Sequence, residues 1–305
     1  MTTVALPALD GHKPMAFLAA VGLTRLLTVH GGDDARLSWS PADAIAVLHT
    51  RLGSLNDVVE TVANIVAAIP AGGALPGVPP DLPPPGEAPD KLRLPPAKLR
   101  ALVQAAGSGE SEIDAWLNSL VTDLALDDKG RCAISLMTAP SGKQSMRTML
   151  EKPLAQVRET PSVLNEAVTR WRRYPGVTGE YLDHQVLFDA ADAPGGVSEE
   201  RGVPGATWLA LMAYPVLRTT ADGADVVTTC WYRRPRQPAR FVYPLWEPAL
   251  DITAIASLLE HPLWRECVDP GLPQTAGAFG VFAIGRAQRR RIVGRTFAGV
   301  LAPIP

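Results

Sequence analysis

Between residues 70 and 96 the chain carries Pro79-Pro80 and Pro83-Pro84-Pro85 among further prolines and glycines. Proline lacks a backbone N–H and holds φ near −65°, so this stretch enters no helix or sheet interior. It reads as an extended linker between domains or as a loop inserted within one domain. The chain has 305 residues, enough for one large core or two smaller ones. Charge divides it further along. Residues 1–130 carry nine Lys+Arg against fifteen Asp+Glu, a net −6, and residues 131–305 carry twenty against sixteen, a net +4. The expected organisation is a mainly helical, acidic part over 1–130 that contains the proline-rich stretch. A mixed, arginine-rich part follows over 131–305.

Periodicity supplies the local expectations. Asp10 is placed to cap a helix over 14–27 with Pro14 in its first turn. Ala16, Ala19, Ala20 and Gly22 give that helix a small face for close packing, expected to meet other protein subunits. A short strand is expected over 35–40 and helices over 41–52 and 55–69, the first capped by Ser40. Further helices are expected over 95–106, 111–126, 144–158, 162–173 and 251–260, with Ser108 or Ser111 capping the second. Residues 131–137, 226–232 and 240–245 read as strands, and 207–216 as helix or buried strand. The chain is expected to close in a hairpin whose tip is Gln288-Arg289-Arg290-Arg291. The expected fold class is α+β, a helical N-terminal part packed with a mixed, partly antiparallel β C-terminal part.

Arginine dominates the chemistry. Its planar fork gives phosphate two parallel hydrogen bonds. Arg170-Trp171-Arg172-Arg173-Tyr174 interleaves arginines with rings that can stack on bases. Trp231-Tyr232-Arg233-Arg234-Pro235-Arg236 reads as a strand end running into a basic loop. Arg286, Arg289, Arg290, Arg291 and Arg295 form the densest cluster. Ser141-Gly142-Lys143-Gln144 sits where a strand is expected to meet a helix, and a helix N-terminus attracts anions. It lacks the first glycine and the GK[ST] ending of a nucleotide-binding loop. The candidate nucleic-acid contacts are therefore Lys143, Gln144, Arg147, Arg172, Arg173, Arg233, Arg234, Arg236, Arg289, Arg290 and Arg291. Lys143 and Gln144 are also candidates to read base edges.

Little points to catalysis. His12, His30, His49, His184 and His261 have no metal-ligand spacing, and Cys132, Cys230 and Cys267 lie far apart with no CxxC. Those cysteines read as buried small hydrophobes. Glu180, Asp183 and His184 are the one local group with acid–base or metal character. No catalytic residue, metal or cofactor is assigned. No apolar run is long enough to span a membrane, and no signal peptide is expected, so the expected compartment is the cytoplasm.

Several segments together resemble proteins of type I-G (formerly I-U) CRISPR loci. They are Leu6-Pro7-Ala8-Leu9-Asp10-Gly11 with the apolar run from Pro14 to Leu23, and Gly179-Glu180-Tyr181-Leu182-Asp183-His184. The run from Pro204 to Ala213, Pro244-Leu245-Trp246-Glu247-Pro248-Ala249-Leu250, and the Gly142-Lys143-Gln144 step complete the set. The resemblance implies a non-catalytic subunit of Cascade, the RNA-guided surveillance complex. It would be a large-type subunit or a free-standing form of the helicase-nuclease extension. Implied partners are guide RNA, target DNA, the other Cascade subunits and the helicase-nuclease, with no membrane. Implied roles are reading the target-adjacent motif and recruiting the helicase-nuclease. The rivals are a metal-dependent hydrolase or nuclease using Glu180, Asp183 and His184, and a pure protein–protein adaptor.

Overall fold

The computed structural model describes residues 1–86, 90–106, 111–138, 144–186, 200–290 and 299–304. In the first half of the chain, β1 (Thr2–Asp10) leads into α1 (Pro14–Val29), then β2 (Arg36–Trp39), β3 (Ile45–Thr50) and α2 (Leu55–Ala68). After the proline-rich stretch come α3 (Pro96–Ala106), α4 (Glu112–Leu120), β4 (Val121–Leu126), β5 (Cys132–Ile134), α5 (Met146–Glu159) and α6 (Ser162–Thr169). The chain continues through β6 (Tyr174–Pro175), β7 (Arg201–Gly202), α7 (Pro204–Leu211), β8 (Thr219–Asp222), β9 (Asp225–Thr228) and β10 (Trp231–Tyr232). It ends with β11 (Arg240–Trp246), α8 (Ile252–Leu259), β12 (Val281–Arg290) and β13 (Val300–Pro303). The fold is α+β. Its larger sheets run in the orders β1-β3-β2 and β10-β11-β12-β13, and β4-β5, β6-β7 and β8-β9 are separate pairs, all antiparallel.

α1 is apolar nearly all round, and all residues from Pro14 to Leu27 are buried, Thr24 and Arg25 included. A helix of that kind belongs inside its own protein. Its small face therefore does not meet other subunits, as the sequence leads one to expect. It packs on α7, where the helices come so close that a Cβ on Gly22 would stand 1.9 Å from the Leu209 carbonyl oxygen. Asp10 does not cap α1 either. Its carbonyl accepts the Lys13 N–H (3.0 Å) and its carboxylate accepts the His12 N–H (3.0 Å), closing the turn before the helix.

Phe17 of α1 joins the two larger sheets. Its ring lies 5.7 Å from Trp39 of β2, 4.1 Å from Tyr243 and 6.2 Å from Trp246 of β11. One contiguous apolar cluster runs from Leu6 to Leu301, so the acidic and arginine-rich parts share a core. Cys132, Cys230 and Cys267 are free and buried.

Three expected helices are otherwise; the one expected over 162–173 ends at Thr169, with Arg170 extended. Residues 45–50, within the expected helix 41–52, form β3. Ala46, Leu48 and Thr50 are buried while Ile45, Val47 and His49 are half-buried, a period of two. Ser40 does not cap a helix there; its carbonyl accepts the Ala44 N–H (2.8 Å) in a tight turn. The expected helix 111–126 breaks at Leu120, and Val121–Leu126 becomes β4. Its start is as expected, with the Ser111 hydroxyl accepting the Asp114 N–H.

The described part of the proline-rich stretch is fastened to the core. Leu75, Val78, Leu82 and Leu92 are buried. Such a backbone offers carbonyls but few N–H donors. Arg147 of α5 supplies them, donating to the carbonyls of Pro80 (2.7 Å), Leu82 (3.3 Å), Pro83 (3.1 Å) and Gly72. Arg158 donates to the Ile69 carbonyl (2.6 Å).

Candidate nucleic-acid interface

The structure sorts the expected contacts into three groups. Lys143 and Arg291 lie outside the described residues. Gln144, Arg147, Arg173 and Arg289 are built into the fold. Gln144 is buried and its amide donates to the Glu180 carboxylate. Arg147 also bonds Glu151 (2.5 Å), so its guanidinium serves as a structural clamp. Arg173 donates to Asp183 (2.7 Å), to Gln185 (2.7 Å) and to the Arg201 carbonyl (2.9 Å).

Arg289 is the largest departure from the expected basic hairpin tip. Gln288, Arg289 and Arg290 lie within β12, paired to β13 through Arg290 and Val300. Alternation along a strand sends neighbours to opposite faces. Arg289 therefore points inward, donating to the carbonyls of Met137 (2.8 Å), Tyr181 (3.3 Å) and Gly299 (3.4 Å) beside the Trp231 ring. Burial pulls its pKa down to about 10, which leaves it charged at neutral pH. Arg286 is likewise anchored, on the Cys267 and Gly271 carbonyls (both 2.7 Å).

Arg172, Arg233, Arg234, Arg236 and Arg290 are exposed. Arg172 lies over the Tyr174 ring at 5.6 Å. Arg233, Arg234 and Arg236 share the loop between β10 and β11, which turns through a Gln237 N–H to Arg234 carbonyl bond (3.0 Å) and a left-handed Arg236 (φ 63°). The loop is closed at its base by the antiparallel pairs Trp231–Phe241 and Tyr232–Arg240. It borders an open groove of about 540 Å³, which Arg218, Arg265 and the half-buried Tyr232 also line. Arg218 pairs with Glu260 (3.2 Å) and Arg234 with Asp269 (3.4 Å) at the exposed surface. Surface pairs of this kind are weak and are readily exchanged for a phosphate. Sequence reasoning missed Arg218 and Arg265. Each stands alone among uncharged or acidic neighbours and joins the others only by folding.

A second feature lies at Glu180. Gly179, Glu180 and Tyr181 have φ of 59°, 47° and 62° in succession. The left-handed region costs non-glycine residues roughly 1–3 kcal/mol each, and neighbours must hold them there. Arg289 grips the Tyr181 carbonyl, and Thr178 and Gln144 hold the Glu180 carboxyl. Glu180 is only 3% exposed. Burial, the largest influence, pushes its carboxyl up to about 7, against the charge of Lys152 and the Thr178 hydrogen bond. Asp183 is held by Arg173 instead, and burial lowers the His184 pKa. Among the described residues, no three His, Cys, Asp or Glu side chains are placed to hold a metal ion.

Glu180 makes stability depend on pH. Between its ordinary value of 4.5 and about 7, the folded protein holds a proton that the unfolded chain has released. Stability therefore falls as pH rises through that window and levels off above it, a total of about 3 kcal/mol. Glu180→Gln is expected to flatten this slope and to be the more stable protein above pH 7. Urea unfolding at about pH 5 and about pH 8 checks it; equal slopes for both proteins would refute the assignment.

No helix among the described residues is long and apolar enough to cross a membrane. Compared with protein-family models and with curated proteins, the chain matches none.

Proposed function

We propose that the chain is a non-catalytic, nucleic-acid-contacting subunit of an RNA-guided type I CRISPR surveillance complex. It would act in the cytoplasm, with guide RNA, target DNA, the other Cascade subunits and the helicase-nuclease as partners. Motif reading and helicase-nuclease recruitment belong to the same proposal. The observation that carries it is the exposed loop with Arg233, Arg234 and Arg236 beside the groove. Such a platform suits phosphate positioning. The segments that resemble type I-G CRISPR proteins add the assembly. With Gln144 bonded to Glu180 and Lys143 outside the described residues, motif reading does not rest on that pair.

The test is binding to guide RNA and target duplex across a salt series, with the chain alone and with Cascade partners. Changing Arg233, Arg234 and Arg236 together to Ala is expected to weaken binding about tenfold or more and to lower the log–log salt slope by about 2–3. All three side chains are exposed, so the fold should survive. No association with nucleic acid or with Cascade would overturn the proposal.

The rival, a metal-dependent hydrolase or nuclease using Glu180, Asp183 and His184, is less well supported, because Asp183 is paired with Arg173 and, among the described residues, no three such side chains are placed to hold a metal ion. Metal-dependent cleavage of nucleic acid, lost in His184→Ala, would establish that reading instead.

A further inference from the structure

The groove beside the arginine loop is lined by charges of both signs, of which Arg218 and Glu260 pair with each other (3.2 Å). On one side are the loop with Arg233 and Arg234, and Arg265 of the 3-10 turn Pro262–Val268. On the other is the β8–β9 hairpin. Its register pairs Thr220 with Val227 and Asp222 with Asp225, so these four side chains share one face. Thr219 and Thr228 lie on the opposite face and are buried, Thr219 donating to the Ser119 carbonyl (2.6 Å). The groove is lined by all four residues of that face, together with Val226 and Thr228 of the other, and both aspartates are exposed.

Two like charges directly opposite one another weaken a hairpin. Asp222 and Asp225 sit in that unfavourable arrangement, flanking the two-residue turn Gly223-Ala224. A ligand that brings hydrogen-bond donors to this wall and negative charge to the facing one would satisfy both. A duplex does not fit that description. Its two phosphate backbones flank every groove, and one of them would face the aspartates. A single strand does fit, because it presents phosphates along one edge and base edges along the other. The volume, about 540 Å³, lies in the range of pockets for nucleotide-sized ligands. Tyr232 offers the half-buried ring on which a base can stack.

We infer that this groove seats a single nucleic-acid strand, with phosphates on Arg233, Arg234 and Arg265 and amino-bearing base edges on Asp222 and Asp225. The inference rests on the proposed nucleic-acid role and adds to it a strand type and a base preference. Carboxylates accept from the amino groups of cytosine, adenine and guanine; thymine and uracil have none. Cytosine-rich strands are therefore preferred over thymine- or uracil-rich strands, and single strands over duplex.

The experiment measures binding of the full chain to oligo-cytidine, oligo-thymidine or oligo-uridine, and a mixed duplex, each about ten nucleotides long. Ribo- and deoxyribo-oligomers run in parallel, and the tighter of the two identifies the strand as RNA or DNA. The wild-type protein is expected to bind the cytidine strand about tenfold more tightly than the thymidine or uridine strand. Asp222→Ala with Asp225→Ala removes exposed charges that repel each other, so folding is retained. That variant is expected to lose the preference and to bind duplex more tightly than the wild type does. Equal binding of all strands by wild type and variant would overturn the inference. In that case the Arg233, Arg234 and Arg236 to Ala variant separates the two claims. If it binds every probe more weakly, the nucleic-acid role stands and only the groove assignment falls. If no probe binds the wild type and the arginine variant behaves identically, both fall.

Discussion

Replacing Glu112 with Leu is expected to cost the protein about 3–5 kcal/mol, the toll of leaving a buried charge unpaired. Glu112 opens α4 and its carboxylate gathers three donors: Arg25 of α1, Trp116 Nε1 (3.0 Å) and His30 (3.4 Å). Arg25 is only 4% exposed, and its Nη1 has no hydrogen-bond partner among the described residues. Burial opposes ionisation of Glu112, yet His30 and Arg25 together hold the carboxyl below its usual range. Without Glu112, the guanidinium keeps the Trp116 ring at 5.7 Å and, among the described residues, no paired anion. A ring face recovers only part of what a carboxylate supplies. Changing both residues, Arg25→Met with Glu112→Leu, is expected to restore most of the loss, because well-packed apolar side chains replace buried ion pairs at little cost. Denaturant midpoints for the two single variants and the double variant form the cycle that measures the coupling. If Glu112→Leu alone leaves the midpoint unchanged, the pair does not hold α1 to α4.

Gly22→Ala is expected to destabilise by about 3 kcal/mol or more, at or beyond the upper end of ordinary overpacking. Helix propensity alone gives the opposite sign, a gain of roughly 1 kcal/mol for alanine over glycine in a helix interior. The sign of the measured change therefore decides between local and tertiary control. The new Cβ would stand 1.9 Å from the Leu209 carbonyl oxygen and 2.9 Å from the Ala213 nitrogen, both backbone atoms. α7 cannot simply back away, since a Cβ on its own Gly205 would lie 2.1 Å from the Val163 carbonyl oxygen at α6. Thermal unfolding of Gly22→Ala gives the answer, and an unchanged or raised midpoint would mean that the α1–α7 contact yields.

The sequence made the helices legible where their signals are local. Pro14 and the apolar run after it marked α1, Ser108 and Ser111 marked the start of α4, which begins after Ser111, and the pattern over 251–260 marked α8. The small residues of α1 announced a close approach, but not to which surface. They could not, because a face fit for another subunit and a face fit for α7 have the same composition. β3 and β4 were illegible for a different reason. A strand of six residues is stabilised by its neighbours, and the partners of β3 come from β1 and β2, on either side of α1 in the chain.

The candidate interface divides along the same line. Residue type alone established that the C-terminal part is rich in arginine and that one cluster falls in a loop, because charge and turn chemistry are local properties. Which arginines face outward was decided by tertiary structure. Arg289 and Arg290 are neighbours of identical chemistry, yet strand alternation turns the first inward onto the Met137 and Tyr181 carbonyls and leaves the second exposed. Arg218, Arg233 and Arg265 are distant in the chain and meet at one groove only because β8, β10 and the turn after α8 pack together. A phosphate-binding surface is a sum of charges in space, and sequence specifies the charges while only the packed core specifies the distances between them.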